Sequence, residues 1–226
     1  MGHLGEAARP LRQRRFRLLW FGRVASAIGD AIVPVALTFA VLSIHGSATA
    51  LGGVLASFTI ARVVFTLAGG VVADRFSRRT IMLGCDVLRA AVQAFIAAML
   101  LTHQMTLAAF IACEALFGMA SAFFGPAADG LVPQTIDAGD LQAANALLGI
   151  SRNTLNVFGP AVSGFLLYVA SPGYVFAIDA ASFIVSAAFL AQLDVDAPIR
   201  APLRSFGSEL REGFRDFHRN SKRVRM

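Results

Sequence analysis

Cysteine, histidine and charge are all scarce in this chain of 226 residues. The two cysteines, Cys85 and Cys113, both fall inside apolar runs, which argues against a disulfide framework. The four histidines, His3, His45, His103 and His218, stand too far apart in sequence to suggest a metal site. No His-Glu-x-x-His, Gly-x-Ser-x-Gly or Cys-x-x-Cys motif occurs, and neither does Gly-x-x-x-x-Gly-Lys-(Ser/Thr). The last absence excludes an ATP-hydrolysing site on this chain. No enzyme, cofactor or metal is therefore expected.

Apolar residues are abundant instead. They make up 56% of the chain, and the mean hydropathy is +0.65. A soluble domain of this size would expose large apolar patches with such a composition. Charged residues make up only 15% and are unevenly placed. Residues 1–17 hold five Arg and one Glu, and residues 197–226 hold eight Lys/Arg and three acids. The net charge is +6, so the stretch between these tails is net negative. A nucleic-acid binder would carry its basic residues on a folded soluble face. Here they flank apolar runs, so the expected partner is a lipid bilayer and no nucleic acid is expected. The basic start is also no cleavable signal: the apolar run after it is too long, and no small-residue cleavage site follows.

Runs of about 20 apolar residues match the ~30 Å hydrocarbon core of a bilayer. Six such segments are expected: 18–44, 50–73, 81–101, 106–128, 141–168 and 175–193. The chain then divides into a basic cytoplasmic tail (1–17), a six-helix transmembrane bundle (18–193) and a cytoplasmic linker (194–226). In the linker Phe206, Leu210, Phe214 and Phe217 recur at helical spacing. That pattern fits an amphipathic helix on the membrane surface, and a solvated linker stays open beside it. The arginines outside the helices all lie on one predicted side, and the outer turns have none. Short Lys/Arg-rich loops stay cytoplasmic, so both termini are expected inside. The stretch 129–140 has no Lys or Arg, so only alternation assigns it to that side.

Among the charged residues within the expected helices, six are candidates for function: Asp30, Arg62, Arg89, Glu114, Arg152 and Asp179. Each costs on the order of 3 kcal/mol at mid-membrane. They must face one another, a wet cavity or the interface. Structural ion pairs are the plainer reading for any one of them. As a set, Asp30, Arg62, Glu114 and Arg152 are the candidate proton and substrate pathway. A buried carboxyl group favours its neutral form, which suits a site that is charged in one state and neutral in another. Arg62 or Arg152 could hold either acid ionised until substrate displaces the pairing.

Between the second and third segments lies Gly70-Val71-Val72-Ala73-Asp74-Arg75-Phe76-Ser77-Arg78-Arg79. This charged turn resembles the signature loop of the major facilitator superfamily, Gly-x-Leu-Ala-Asp-Arg-x-Gly-Arg-(Lys/Arg). Val72 stands at the family's Leu and Ser77 at its second Gly. In the fourth segment, Glu114 to Ala122 resembles the family's Arg-x-x-x-Gly-x-x-x-Ala motif, with Glu at the Arg position. In the fifth, Gly159-Pro160-Ala161-Val162-Ser163-Gly164 resembles the antiporter motif Gly-Pro-x-x-Gly-Gly, with Ser for one Gly. Gly-Pro also lets a helix bend and pack closely.

The resemblance spans essentially the whole chain and implies an all-α membrane fold of two inverted three-helix repeats. It implies a secondary active transporter that exports a small molecule in exchange for protons by alternating access, in a bacterial cell membrane. Gly70, Asp74, Arg75, Arg78 and Arg79 would form a conformational latch, with Asp129 as its third member. Gly159, Pro160 and Gly164 lean the direction toward export. In that family a full carrier has twelve helices. The chain is therefore expected to be the N-terminal half, needing a C-terminal half or a second copy. A non-transporting scaffold is the alternative. The membrane domain of an ATP-driven exporter fits poorly, because the loops are too short.

Overall fold

Long apolar runs broken by short polar turns leave the backbone one way to satisfy itself in lipid, which is helix. The structure, a computed structural model, describes residues 9–45 and 47–195, apart from the side chains of residue 45 and residues 67–75. Six long helices follow in order: α1 (Arg14–His45), α2 (Ala48–Arg75), α3 (Arg78–Leu101), α4 (Leu107–Leu131), α5 (Leu141–Val169) and α6 (Pro172–Ala191). Single 3-10 turns precede α1 (Arg9–Arg12) and join α4 to α5 (Val132–Gln134 and Ala138–Asp140). The expected linker, 194–226, lies outside the described residues apart from residues 194 and 195, and so do the first eight residues.

Helix boundaries have local causes. The Ser47 hydroxyl accepts from the Ala50 amide at 3.0 Å, and Thr106 accepts from Ala109 at 3.3 Å, so α2 and α4 each begin on a side-chain cap. Pro172 opens α6, where its missing N–H costs nothing. Two boundaries differ from the sequence expectation. Helix α3 starts at Arg78 rather than residue 81, so Arg78 and Arg79 belong to its first turn. Helix α4 runs on to Leu131, so Asp129 is helical and the loop is shorter than 129–140. Pro34, Pro126 and Pro160 each sit within a continuous helix.

Among the described residues, five helices are long and apolar enough to cross a membrane: α1, α2, α3, α4 and α6. Helix α5 has the length, 29 residues, but Asn145, Arg152, Asn153 and Asn156 dilute its apolar character. Apolar residues of α2 and α5 face outward: Ile60, Val63 and Val64 on one, Val157, Phe158 and Phe165 on the other. In lipid such faces cost nothing, and helices associate through close packing and hydrogen bonds.

Helix α2 packs on α4, α3 on both α4 and α6, and α1 on both α5 and α6. This set of pairs maps onto itself when α1, α2 and α3 are exchanged with α4, α5 and α6. Two of the crossings rest on glycine. A Cβ on Gly118 of α4 would strike the backbone of Phe58 on α2, and one on Gly159 of α5 would lie 2.6 Å from the Ala31 carbonyl oxygen of α1. Only a residue without a side chain permits these approaches.

The core is split into two apolar clusters. One holds Val92, Ile96, Phe110, Phe176 and Phe183, with Phe110 and Phe176 edge to face at 5.9 Å. The other, toward the α2–α3 turn, holds Phe16, Leu19, Met82, Leu131 and Leu190. Along α3 and α6, buried Asp86, Arg89 and Ser186 lie between them.

Candidate functional site

Four helices turn polar residues toward one another. Helices α1, α2, α4 and α5, with Arg89 of α3, enclose a cavity of about 470 Å³. Asp30, Arg62, Glu114 and Arg152, the four residues proposed from sequence as a pathway, all line it. Arg23, Arg89 and Asp129 line it as well, with the rings of Phe58, Phe117 and Phe124. The dilution of α5 thus has a cause: Ser151, Arg152 and Asn156 face the cavity.

The charges in the cavity are differently held. Arg23 meets Asp129 at 3.2 Å. Arg89 Nη1 stands 4.0 Å from Asp30 Oδ2, while its Nη2 donates to buried Asp86 Oδ1. The Arg89 guanidinium is also sandwiched between Phe124 and Phe183, 3.9 and 4.5 Å from the ring centroids. Arg62 lies 6.0 Å from the centroid of Phe58. Glu114 is buried, and its Oε1 has no hydrogen-bond partner among the described residues.

Behind Arg89 runs a buried polar ladder between α3 and α6. Ser186 donates to Asp86 Oδ2 at 2.6 Å, and Gln93 Nε2 donates to Asp179 Oδ2 at 2.6 Å. Ser182 donates to the Asp179 carbonyl oxygen at 2.7 Å. Gly29 of α1 packs directly on the Asp179 carboxylate, so the ladder abuts the helix that carries Asp30. Arg89 and Asp179 stood out in the sequence as charges in apolar helices, but Gln93 and Ser186 did not. Their signal is spacing: 86, 89 and 93 share one face of α3, and 179, 182 and 186 share one face of α6.

The charged turn grips two helix ends. Arg78 donates through Nη1 to the Gly130 carbonyl oxygen at the C-terminus of α4. Arg79 donates to the carbonyl oxygens of Leu190 at 2.9 Å and Ala191 at 2.6 Å, at the C-terminus of α6. Helix C-termini carry unpaired carbonyls and partial negative charge, so guanidinium groups suit them. Asp129 pairs with Arg23, not with Arg78. The side chains of Gly70, Asp74 and Arg75 lie outside the described residues. At the same end, Gln13 donates to Asp137 at 3.0 Å and to Asp140 at 3.2 Å, and Arg9 pairs with Asp140 at 3.3 Å. The start of α1, the α2–α3 and α4–α5 connections and the end of α6 therefore share one end of the bundle.

In the Gly-Pro segment of α5, Gly159 is buried against α1. Pro160 is exposed, and the Cβ position of Gly164 meets open space. The Ser163 hydroxyl is buried without a hydrogen-bond partner among the described residues.

Apolar helices around a charged cavity, with basic side chains gathered at one end, are the build of a multi-pass membrane protein. The profile of the family described as transmembrane secretion effector matches residues 6–226. This chain belongs to that family, within the major facilitator superfamily. It is 29% identical over 186 residues to the uncharacterized MFS-type transporter YfiS of Bacillus subtilis (strain 168), covering 82% of this chain and 43% of that protein. It is 26% identical over 174 residues to macrolide efflux protein A of Streptococcus pyogenes, covering 76% and 42%. The chain thus spans less than half the length of these relatives. Among solved structures, the in meso crystal structure of the POT family transporter PepTSo superposes with a TM-score of 0.71 at 19% identity, over 85% of this chain and 40% of that one. That likeness concerns the fold alone.

Proposed function

We propose that this chain is one six-helix half, the N-terminal one, of a proton-coupled exporter of small molecules in a bacterial cell membrane. The observation that carries the reading is the single cavity holding Asp30, Arg62, Glu114 and Arg152. Helix α5 is the sixth span: its polar face meets the cavity and its apolar face meets lipid. The grouping of Arg9, Gln13, Arg78 and Arg79 at one bundle end supports a cytoplasmic location for that end.

Half a carrier has half a cavity. Alternating access rocks one bundle against another around a midplane site, so a second bundle must cover this one. A missing C-terminal half or a second copy of this chain would supply it. Asp30 is the coupling carboxylate: it faces the cavity and stands beside Arg89, and a carboxylate that loses its cation partner gains affinity for a proton. Arg78, with Asp74 and Arg75, forms the latch at the cytoplasmic end. The Gly-Pro segment of α5 and the likeness to a macrolide efflux protein both favour export over import.

The test is pH-gradient-driven efflux in vesicles carrying the whole carrier. Asp30→Asn and Glu114→Gln are each expected to abolish gradient-driven transport. Wild-type gradient dependence in both variants would overturn the proton-coupled reading.

A further inference from the structure

Helix α1 has two opposed faces. Arg23, Ala27, Asp30 and Pro34 line the cavity. At about 100° per residue, Arg14, Arg17, Phe21 and Ile28 fall within about 60° of one another on the opposite side of the helix. Phe21 and Ile28 are exposed there, and so is Phe39 further along. In a bilayer this face meets lipid. Phe16 and Leu19 share the cavity side and are fully buried in the core. They fix the rotation of the first turns, so Arg14 and Arg17 point away from the bundle.

Arg14 and Arg17 are both exposed, and neither side chain makes an ion pair or a hydrogen bond among the described residues. Other arginines at this end are already engaged. Arg9 pairs with Asp140, Arg23 pairs with Asp129, and Arg78 and Arg79 hold helix ends. Arg62, Arg89 and Arg152 line the cavity and take no part. One turn deeper than Arg17, Phe21 stacks on Phe189 of α6, with the ring centroids 5.5 Å apart. Two unpaired guanidiniums thus stand at the edge of an aromatic shelf shared by two helices.

We infer that Arg14 and Arg17 bind the phosphate of an anionic phospholipid whose acyl chains lie along Phe21 and Phe189. Guanidinium forks match phosphate oxygens two at a time. Basic residues beside the cytoplasmic end of a span are drawn to an anionic leaflet, each by a modest amount. A phospholipid presents negative charge and hydrocarbon in the order in which this face presents arginine and phenylalanine. A soluble acidic partner has no hydrocarbon to lay on the shelf and would have to displace lipid to reach it. The site lies outside the cavity, so the inference goes beyond the transport reading and does not depend on it.

The test counts bound lipids. The purified 226-residue chain is equilibrated with an equal mixture of phosphatidylglycerol and phosphatidylcholine, and the lipids it retains are read by native mass spectrometry. The wild-type chain should retain phosphatidylglycerol preferentially. The double variant Arg14→Gln/Arg17→Gln should lose that preference by at least ~10-fold. Arg14→Lys/Arg17→Lys, which keeps the charge, should retain most of it, and that separates lost charge from lost fold. Arg9→Gln, whose cation is already taken by Asp140, should leave it unchanged. Equal retention of the two lipids by the wild-type chain would overturn the inference, as would a preference that survives in the double glutamine variant. A loss in Arg9→Gln as large as in that variant would also overturn it, since the preference would then follow the total charge of the bundle end.

Discussion

Arg89 faces Asp86 and Asp30 at once, one nitrogen on each. Asp86 is fully buried and Arg89 is 3% exposed, whereas Asp30 is 45% exposed in the cavity wall. The pair inside and the pair at the wall share a single guanidinium. The inner pair carries stability and the outer one is free to exchange partners.

Removing Arg89 should therefore be structurally expensive. Arg89→Met leaves Asp86 buried with Ser186 as its remaining hydrogen-bond donor, and a buried pair broken on one side typically costs about 3–5 kcal/mol. A clear drop in thermal midpoint in detergent is expected. Asp30→Asn, at the exposed end, should cost less than about 1 kcal/mol by the same assay. Equal losses in the two variants would contradict the division.

The latch has its own signature. Arg78→Ala removes the donor at the Gly130 carbonyl, so transport by the whole carrier should fall several-fold. The remaining arginines of the cytoplasmic end should keep the orientation unchanged. Reporter fusions read topology and vesicle assays read transport. Wild-type transport in this variant would sink the latch.

Glycine substitutions should sort by crossing. Gly118→Ala drives a methyl group into the Phe58 backbone, which cannot move aside as a side chain could. A loss of about 1–3 kcal/mol is expected. Gly125→Ala and Gly164→Ala point into open space and should be near neutral in the isolated chain. Thermal midpoints of the three variants, taken side by side, check the ranking.

Arg79→Ala should destabilise the end of α6 selectively. Two carbonyl oxygens, those of Leu190 and Ala191, lose their donor. Each such bond contributes about 1 kcal/mol. Faster amide exchange is expected in the last turn of α6, with the α3–α6 ladder unchanged. Uniform exchange across the bundle would argue against a local clamp.

Much of this architecture could be read from the residues. The apolar runs fixed the helices to within a few positions, because a bilayer-length segment that is apolar but for one or two charges has few alternatives. The errors lay at ends. Arg78, Arg79 and Asp129 look like loop residues, and they are helical because carbonyls and a guanidinium across the bundle satisfy them. Arg62, Glu114 and Arg152 were recognisable from the cost of their charge, and the structure brings them to one cavity with Asp30. Which cation meets which acid was not recognisable. Arg89 rather than Arg62 or Arg152 stands beside Asp30, and that depends on helix rotation and on Gly29 admitting Asp179. Gln93 and Ser186 are not legible in the sequence, because neutral polar residues carry little signal alone.

The grip of Arg78 and Arg79 on two helix ends also sets how this gene can drift. Only Phe76 and Ser77 separate α2 from α3, so a residue added to or taken from this connection shifts the start of α3 relative to α2. Both guanidiniums would then swing away from Gly130 and Leu190 together. Exchanges of one amino acid for another in the turn should pass selection far more often than insertions or deletions of a single codon. The length of the turn, more than its spelling, is what descendants of this sequence must inherit.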